Sequence, residues 1–276
     1  MLKKSTVTNA VPLKSQVTFA ILSTYIFKKH GNEYGCTMTK KIDVLGLLLD
    51  NYTVREAMLQ VEACMDEHQL YTVEVVTMQM LLEQERDVMM REVLSSLDLT
   101  VIGEKQILQA ADAVTMQRVQ ETEANDFTYE FFRYMERSRK SVYLLGESTD
   151  RITYVRNGLK EQFSDLVFAG EYALESCGGD DETVINDINA MSPDVLISVL
   201  PSPLQEHFLA EHREKIHSSI WYGMGEAGIN GKKSGVTDFF QSLMHWGRLK
   251  NSMDKYRIDE EAGELQESGK KDETES

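Results

Sequence analysis

The stretch that decides the fold is Glu182–Arg213, ETVINDINAMSPDVLISVLPSPLQEHFLAEHR. It predicts a helix over Glu182–Met191, a strand over Asp194–Leu200 and a helix over Pro203–Ile216. The strand is apolar at nearly every position, which is typical of a strand covered on both faces of a parallel sheet. A polar turn, Ser202–Glu206, follows the carboxyl end of this strand, where open α/β sheets bind their ligands. The turn is therefore the first candidate for a functional site.

The same alternation of strands and helices extends along most of the chain. Short apolar or β-branched runs predict strands, and the amphipathic segments between them predict helices. The other predicted strands are Lys41–Leu49, Tyr71–Thr77, Leu99–Ile102, Ser141–Leu145, Leu166–Ala169 and Ser219–Gly223. The other predicted helices are one capped by Thr53, then Met80–Leu97, Asn125–Arg137 and Asp150–Phe163. This order predicts an α/β fold with a mostly parallel sheet flanked by helices.

Composition bounds the class of protein. The chain has 276 residues, of which 42% are hydrophobic, enough for one large domain or two small ones with a real core. Its net charge of −16 argues against a nucleic-acid binder. Three widely separated cysteines, Cys36, Cys64 and Cys177, suit a reducing compartment. No apolar run approaches the roughly 20 residues of a membrane span.

Composition also predicts the domain organisation. Residues 1–37 are predicted to be a leader, disordered or dispensable, because the chain from Met38 resembles the natural start of a domain. Their apolar run Val17–Phe27 lacks the cleavage site of a signal peptide. Residues 38–235 form the predicted α/β domain, and residues 236–257 a C-terminal helical appendage. Residues 258–276 hold eight acidic residues and two lysines, which predicts a disordered tail.

The turn Ser202–Glu206 has two interpretations. Ser202 can cap the following helix, with Pro203 at the first helical position and Gln205 closing a capping box. Glu206 can then complement the helix dipole. Alternatively, the amide of Gln205 and the carboxylate of Glu206 contact a ligand at the sheet edge. The residues alone leave both interpretations open.

Three further patterns predict little chemistry. Gly146-Glu147-Ser148 follows a strand and is either a phosphate cradle or, as we favour, a tight turn. The letters of GxGxxG occur from Gly223, but no helical pattern follows, so a dinucleotide site is not expected. Three histidines, His207, His212 and His217, are spaced by five residues. Five residues turn about 500° around a helix, so these side chains cannot share one helix face as zinc ligands do. Neither a metal nor a cofactor is predicted.

An apolar stripe near the C-terminus also has two interpretations. The stripe, with basic residues beside it, lies within Phe239–Arg257. It could be a peripheral membrane helix, or a helix docked on the core or on another subunit. We favour docking, because an acidic protein is repelled by anionic lipid.

Several segments resemble one protein family. They are KIDVLGLLLDNYT from Lys41, SVYLLG from Ser141 and INDINAMSPDVLISVLPSPLQEHFLAEHR from Ile185. In these segments the chain resembles the WecG/TagA/CpsF family, bacterial glycosyltransferases of family 26, from about Lys41 to Leu249. The family's Gly-x-Pro-Lys-Gln-Glu turn reads Pro201–Glu206 here, which keeps the Pro, Gln and Glu.

The resemblance implies a Rossmann-like fold and a sugar transfer. Family members move a sugar, typically N-acetylmannosamine from its UDP form, to a lipid-linked N-acetylglucosamine acceptor for teichoic acid, capsule or related polymers. By resemblance, the partners are a UDP-sugar donor and a lipid-linked saccharide acceptor. The expected location is cytoplasmic and peripheral on the inner membrane face, with contact through Phe239–Arg257.

The resemblance also implies site residues. Gln205 and Glu206 would lie at the nucleotide-sugar. The family's Thr-x-Asn reads Thr77-Met78-Gln79, so Thr77 and Gln79 would line the cleft. Its Gly-Ser-Asp reads Ala124-Asn125-Asp126, which keeps Asp126 as a substrate contact. These correspondences are read from the printed sequence.

The expected general base is where the chain departs most from the family. The family has Asp-Gly after its third strand, and the register DLTVIG puts Gly103 at the Asp position. Glu104 follows and is the candidate base. Losing a general base typically costs about 10²–10⁴-fold in rate. The chain is therefore either a divergent enzyme or a paralogue that binds a nucleotide-sugar or a partner transferase without turnover.

Overall fold

The computed structural model describes residues 40–65, 69–225 and 248–259. These residues contain eight strands. The strands are β1 (Lys41–Val44), β2 (Leu47–Asp50), β3 (Tyr71–Val76), β4 (Leu99–Ile102), β5 (Ser141–Gly146), β6 (Val167–Ala173), β7 (Val195–Ser198) and β8 (Ile220–Gly223). β1 and β2 form an antiparallel hairpin. The other six form one parallel sheet in the order β4-β3-β8-β7-β5-β6.

Helices occupy most of the connections between the strands. They are α1 (Val54–Cys64), α2 (Met78–Glu83), α3 (Val88–Ser96), α4 (Lys105–Ala110), α5 (Met116–Ala124), α6 (Asp126–Ser138), α7 (Thr149–Gln162), α8 (Asp181–Met191), α9 (Leu204–His212) and α10 (residues 248–259). The Rossmann-like α/β fold with a parallel sheet, as predicted, is confirmed. Thr53 caps α1 as predicted, in a capping box with Glu56.

The strands bury side chains on both faces of the sheet. In β5, Val142 and Leu144 belong to one apolar cluster, and Tyr143 and Leu145 belong to another. All four are 0% exposed. The first cluster includes the buried sides of α1, α6 and α7, and we call it the α6 face. The second includes those of α2, α3, α4, α8, α9 and α10, and we call it the α9 face.

The predicted strand Lys41–Leu49 is wrong, because the chain reverses within it. Leu45 and Gly46 have positive φ angles of 56° and 76°, and β1 and β2 pair on either side of them. The backbone N–H of Gly46 donates to Asp43 Oδ1 at 2.9 Å and closes the turn. A single glycine in an apolar run is equally compatible with a continuous strand, so the sequence pattern does not predict this turn.

The predicted helix Met80–Leu97 is also wrong as a single element, because α2 ends at Glu83 and α3 begins at Val88. Asp87 caps α3 by accepting a hydrogen bond from the backbone N–H of Met90 at 3.0 Å. The other oxygen of Asp87 lies 2.7 Å from His207 Nε2 on α9. This long-range contact favours the break, and apolar spacing within one segment cannot reveal it. No element was predicted where α4 and α5 lie, and the other predicted elements are present with bounds that differ by a few residues.

The described part of the predicted appendage docks on the core. Leu249 and Met253 of α10 are buried in the cluster of the α9 face. Arg257 donates to the carbonyl oxygen of Ala110 and to Asp112 Oδ2, each at 3.0 Å. The predicted start of the tail, residues 258 and 259, belongs to α10. None of the described helices is long and apolar enough to cross a membrane.

Several predictions lie outside the described residues. They are the leader 1–37, the segment 239–247 of the apolar stripe, the third glycine of the GxGxxG letters at position 228, and the tail from residue 260.

Candidate functional site

The candidate site lies at the carboxyl-terminal edge of the parallel sheet. β3 and β8 are neighbours at its centre, with β4 beyond β3 and β7 beyond β8. Because parallel strands end at the same edge, the turns after β3, β4 and β7 lie at the edge where open α/β sheets form their ligand crevice, and we call this place the crevice. Thr77 and Glu104 lie on the β3–β4 side, and Gln205 and Glu206 lie on the β7–β8 side.

The turn after β7, Ser202–Glu206, does not form the capping box that was one of its two interpretations. The cap position of α9 is Pro203, with no side-chain capping bond, so the helix begins one residue later than predicted. Glu206 therefore takes the third helical position, and Ser202 Oγ donates to Glu206 Oε2 at 2.9 Å. Gln205 Oε1 instead accepts from the backbone N–H of Gly225 at 3.2 Å. The Ser202–Pro203 peptide is cis.

Gln205 and Glu206 are buried rather than exposed in the crevice. Their exposed fractions are 1% and 0%. The Nε2 atom of Gln205 lies beside the Glu74 side chain of β3, above Gly223. Glu74 is also 0% exposed, and its Oε1 accepts from Trp221 Nε1 on β8 at 3.1 Å. One hydrogen bond thus joins β3 to β8, and another joins the turn after β7 to the segment that follows β8.

Burial controls the protonation of these carboxyl groups. It raises the pKa of Glu74 well above its usual range, and the nearby charge of Glu206 raises it further. The hydrogen bond from Trp221 and the nearby amide of Gln205 lower the pKa of Glu74 only in part. Burial also raises the pKa of Glu206, against the opposing hydrogen bond from Ser202. Folding therefore makes the carboxyl group of Glu74 hold its proton more strongly than in the unfolded chain.

Gly223, the last residue of β8, makes room for this network. A Cβ atom at Gly223 would lie 2.5 Å from Glu74 Cγ and 2.7 Å from Gln205 Nε2. Both distances are far below van der Waals contact, so only glycine lets these two side chains meet over the strand. The glycine that the sequence offered as part of a GxGxxG pattern thus serves side-chain packing.

The opposite side of the crevice is more open. Thr77 caps α2 and accepts from the backbone N–H of Met80 at 3.3 Å. Glu104 occupies the cap position of α4, and its Oε1 accepts from the backbone N–H of Met78 at 3.1 Å. Thr77 and Glu104 are both half-buried. The structure thus brings these two predicted site residues together.

Gly103 explains why the carboxylate on this side belongs to residue 104. A Cβ atom at Gly103 would lie 2.8 Å from Val75 Cγ1 and 3.0 Å from the carbonyl oxygen of Val76. The backbone N–H of Gly103 also donates to that oxygen at 2.9 Å. A side chain at residue 103 would therefore require β3 to move, and the next residue is free of this constraint.

The remaining two predicted site residues lie apart from this pair. Gln79 is exposed, and its Nε2 donates along α2 to Glu83 Oε1 at 2.9 Å. Asp126 is the first residue of α6, on the opposite face of the sheet from α2 and α9. Burial raises the pKa of Asp126, and the charges of Glu121 and Glu130 add to that shift.

Three residues near the site have no place in the sequence-based prediction. Glu74 and Trp221 are joined by a buried hydrogen bond. A single acid within the apolar strand YTVEVV is the feature of the sequence that could have indicated a buried polar contact. Arg118 is only 8% exposed, beside a cleft that Asn125 also lines. Its Nε donates to Asn51 Oδ1 at 3.1 Å. Such a pairing of distant residues leaves no local pattern in the sequence.

At the Gly146 turn, the N-terminus of α7 binds a carboxylate of the chain itself. Ser148 caps α7, and the backbone N–H of Thr149 donates to Glu175 Oε1 at 2.7 Å. These hydrogen bonds lower the pKa of Glu175. A carboxylate of the chain thus takes one of the donors that a phosphate would need, which agrees with the tight turn that we favoured.

One group of described residues has donor atoms close enough to share a metal ion. One atom each of Asp181, Glu211 and His212 lie within 4.8 Å of one another. The ion pair between His212 Nε2 and Asp181 Oδ2, at 3.2 Å, accounts for this grouping without a metal. The group joins the start of α8 to the end of α9, whereas the crevice lies at the start of α9.

Comparisons with known proteins place the whole sheet in one family. The model of the family described as Glycosyl transferase WecG/TagA/CpsF family matches residues 42–228. Similar curated proteins are N-acetylglucosaminyldiphosphoundecaprenol N-acetyl-beta-D-mannosaminyltransferases of Staphylococcus aureus. The protein of strain MW2 is 25% identical over 128 aligned residues, which cover 41% of this chain and 50% of the relative. That of strain NCTC 8325 / PS 47 is 24% identical with the same coverage. The chain spans about half the length of these curated relatives.

Proposed function

Because the chain belongs to the WecG/TagA/CpsF family of glycosyl transferases, we propose that it transfers an N-acetylated amino sugar from a UDP-sugar to a lipid-linked saccharide acceptor. The sugar is of the N-acetylmannosamine type, and the product enters cell-surface polysaccharide or teichoic acid synthesis. The names of the Staphylococcus aureus relatives, which specify such an acceptor and sugar, support this choice. With a lipid-linked acceptor, the reaction takes place on the cytoplasmic side, at the inner membrane face.

The observation that carries the proposal is the pair of polar turns at the carboxyl-terminal edge. Thr77 and Glu104 lie on one side of the crevice, and Gln205 and Glu206 lie on the other. Neutral amides, hydroxyls and carboxylates are the groups that bind sugar hydroxyls, and α/β sheets bind ligands at this edge. The arrangement suits a donor sugar on the β7–β8 side and an acceptor hydroxyl on the β3–β4 side.

Glu104 is the group best suited to act as general base. Its carboxylate is half-buried, and its bond to the backbone N–H of Met78 restricts where it points. In the proposed step, Glu104 takes the proton of the acceptor hydroxyl as that oxygen attacks the anomeric carbon. The bond from the anomeric carbon to the UDP oxygen breaks, and UDP leaves with the electron pair.

Glu206 and Gln205 contribute differently to the donor side. Glu206 Oε1 has no hydrogen-bond partner among the described residues, so we assign it to a donor hydroxyl. The Oε1 atom of Gln205 accepts from the backbone N–H of Gly225, and its Nε2 atom lies beside Glu74. We therefore propose that Gln205 shapes the turn and that Glu206 contacts the sugar. Gln79 and Asp126 are retained as contacts with more distant parts of the substrates.

A second candidate function has one observation in its favour. Gly103 leaves no carboxyl group at the family's expected base position, and the crowding around it prevents a side chain there. A paralogue that binds a nucleotide-sugar or a partner transferase without turnover would tolerate this loss.

Turnover and binding assays distinguish the two functions. We expect the protein to release UDP from UDP-N-acetylmannosamine in the presence of a short-chain lipid-linked N-acetylglucosamine. Glu104→Gln should lower the rate by about 10²–10⁴-fold, as is typical for a lost general base. The control is Glu161→Gln, an exposed acid near the end of α7, which should leave the rate unchanged.

The alternative results have distinct meanings. Binding of a UDP-sugar in a calorimeter without turnover would support the second candidate. Activity that Glu104→Gln leaves intact would remove Glu104 as the base. Failure of every UDP-sugar to bind would contradict both functions.

A further inference from the structure

The turn Ser202–Glu206 holds no basic residue that could bind the diphosphate of a UDP-sugar. The polar groups that it brings to the donor side are the amide of Gln205 and the carboxyl group of Glu206, and neither attracts an anion. Proteins hold a diphosphate with arginine or lysine side chains, metal ions or backbone N–H groups. A donor that binds at this turn therefore needs a positive group from another part of the sheet edge.

Three described residues are basic in the segments that run from the strands of the parallel sheet into the first turn of the next helix. They are Lys105, Arg151 and His207. Lys105 follows β4, on the acceptor side, where it pairs with Glu123. His207 Nε2 lies 2.7 Å from Asp87 Oδ2, so the carboxylate of Asp87 offsets the charge of a protonated His207. Arg151 follows β5 and is charged at every physiological pH, which makes it the candidate for the diphosphate.

Gly225 connects Arg151 to the donor turn. Arg151 Nη2 donates to the carbonyl oxygen of Gly225 at 3.3 Å. The backbone N–H of the same glycine donates to Gln205 Oε1 at 3.2 Å. β5, which precedes Arg151, pairs directly with β7, which precedes Gln205, so the two turns are neighbours at one edge of the sheet. The guanidinium group therefore lies beside the turn to which we assign the donor sugar.

The start of α7 presents a side chain, rather than backbone donors, to an anion. The backbone N–H of Arg151 donates to Ser148 Oγ at 3.3 Å, and that of Thr149 donates to Glu175 Oε1 at 2.7 Å. A guanidinium group has five N–H donors in a planar fork that matches the oxygens of a phosphate. Arg151 is half-buried, so solvent screens its charge only in part.

We propose that Arg151 binds the diphosphate of the UDP-sugar donor and stabilises the charge that UDP gains as its bond to the anomeric carbon breaks. The inference rests on the proposed function, since it takes the Ser202–Glu206 turn as the donor side. In the step, Glu104 takes the proton of the acceptor hydroxyl, and the electron pair of the broken bond stays on the UDP oxygen. Arg151 transfers no proton and acts through its charge and its hydrogen bonds.

The first test measures the binding of UDP and of uridine, which lacks the phosphates, by calorimetry. Arg151→Met keeps an unbranched side chain but removes the charge. UDP should then bind about 10–100-fold more weakly, because hydrogen bonds between charged groups are the strong ones. Uridine should bind the variant within about twofold of wild type. An unchanged affinity for UDP would contradict the proposal, and an equal loss for UDP and uridine would reduce Arg151 to a structural role.

Arg156→Met is the matched control on the same helix. Arg156 Nη1 donates to Glu171 Oε1 on β6 at 2.8 Å, so this arginine belongs to a different ion pair. The variant loses the same charge as Arg151→Met and should leave the affinity for UDP unchanged. An equal loss of affinity in both variants would show an effect of net charge, and it would contradict a contact between Arg151 and the diphosphate.

Salt dependence decides the question if uridine binds too weakly to measure. The affinity of the wild type for UDP should fall as salt is added, because ions screen the attraction between guanidinium and phosphate. Arg151→Met should reduce this dependence, and equal dependence in both proteins would contradict the contact. If Arg151→Met does not fold, Arg151→Lys takes its place. It keeps the charge but loses the planar fork, so UDP should bind about three- to tenfold more weakly while uridine binding stays unchanged.

Turnover tests the effect on the leaving group. The kcat of Arg151→Met should fall together with its affinity for UDP, because the charge on UDP is largest in the transition state. An unchanged kcat would remove the effect on the leaving group. A wild type that binds neither UDP nor a UDP-sugar removes the proposed function and the role of Arg151 together. A wild type that binds UDP, with the same affinity in Arg151→Met, removes the role of Arg151 alone.

Discussion

The two sides of the crevice differ in how their carboxyl groups meet water. On the β7–β8 side, Glu74 and Glu206 are both 0% exposed and accept hydrogen bonds from Trp221 and Ser202, respectively. On the β3–β4 side, Glu104 is half-buried at the end of its strand. A fully buried acid cannot reach a hydroxyl group that arrives from solvent, whereas an accessible carboxylate can. Substitutions on the β7–β8 side should therefore change stability more, and substitution of Glu104 should change stability less.

The pH dependence of stability should show the largest contrast. The pKa of Glu74 is raised by folding, so between its unfolded and folded values the native state binds one more proton than the unfolded state. The free energy of unfolding of the wild type should then fall, relative to Glu74→Gln, by about 1.4 kcal/mol per pH unit as the pH rises above about 4.5. Urea unfolding of both proteins from pH 5 to pH 7 measures this difference. Parallel pH profiles would mean that Glu74 is ionised in the native protein.

Crowding at Gly223 should produce the next largest effect. The Cβ of Gly223→Ala would lie 2.5 Å from Glu74 Cγ, so the network must move apart. We expect a loss of about 1–3 kcal/mol in the free energy of unfolding, as for other overpacked sites. The same substitution in a Glu74→Ala background relieves the closest contact and should cost less. Equal costs in both backgrounds would show that Glu74 is not what requires glycine there.

Removal of the Ser202 hydroxyl should have a smaller effect. Ser202 Oγ donates to Glu206 Oε2 at 2.9 Å, and this bond lowers the pKa of Glu206. Ser202→Ala should destabilise the protein at pH 7 by about 1 kcal/mol and raise the pKa of Glu206 further. Urea unfolding gives the first quantity. A destabilisation below about 0.3 kcal/mol would indicate that the hydrogen bond from Ser202 to Glu206 contributes almost nothing to the free energy of unfolding.

The exposed side should show the smallest change in stability. Glu104→Gln keeps an oxygen that can accept from the backbone N–H of Met78, the bond observed at 3.1 Å. We expect less than about 0.5 kcal/mol of destabilisation, as for other sites in contact with water. A melting curve measured beside the transferase assay separates the two properties. A large loss of stability would mean that Glu104 is part of the scaffold, and it would end the contrast between the two sides.

Local patterns of residues predict the fold more completely than the site. Runs such as VLIS in β7 are fully buried, and the parallel sheet follows from them because two-sided burial selects against polar residues at successive positions. The break between α2 and α3 was missed because Asp87 pairs with His207 on a distant helix. For the site, the residue pattern left Gln205 either a capping or a ligand role, and the later helix start removes the capping role. Thr77 and Glu104 followed from the family resemblance alone.

The sequence by itself determined the alternation of strands and helices and the edge at which polar turns collect, since both depend on local patterns of apolar residues. Its resemblance to one family agrees with the match over residues 42–228. Only the tertiary structure decided that Glu74, Gln205 and Trp221 meet, because β3, α9 and β8 are far apart along the chain. It alone also decided that Gly103 has no room for a side chain, since that space is filled by Val75 and Val76 of the neighbouring strand. Such exclusions arise from packing between elements, which periodicity within one element does not encode.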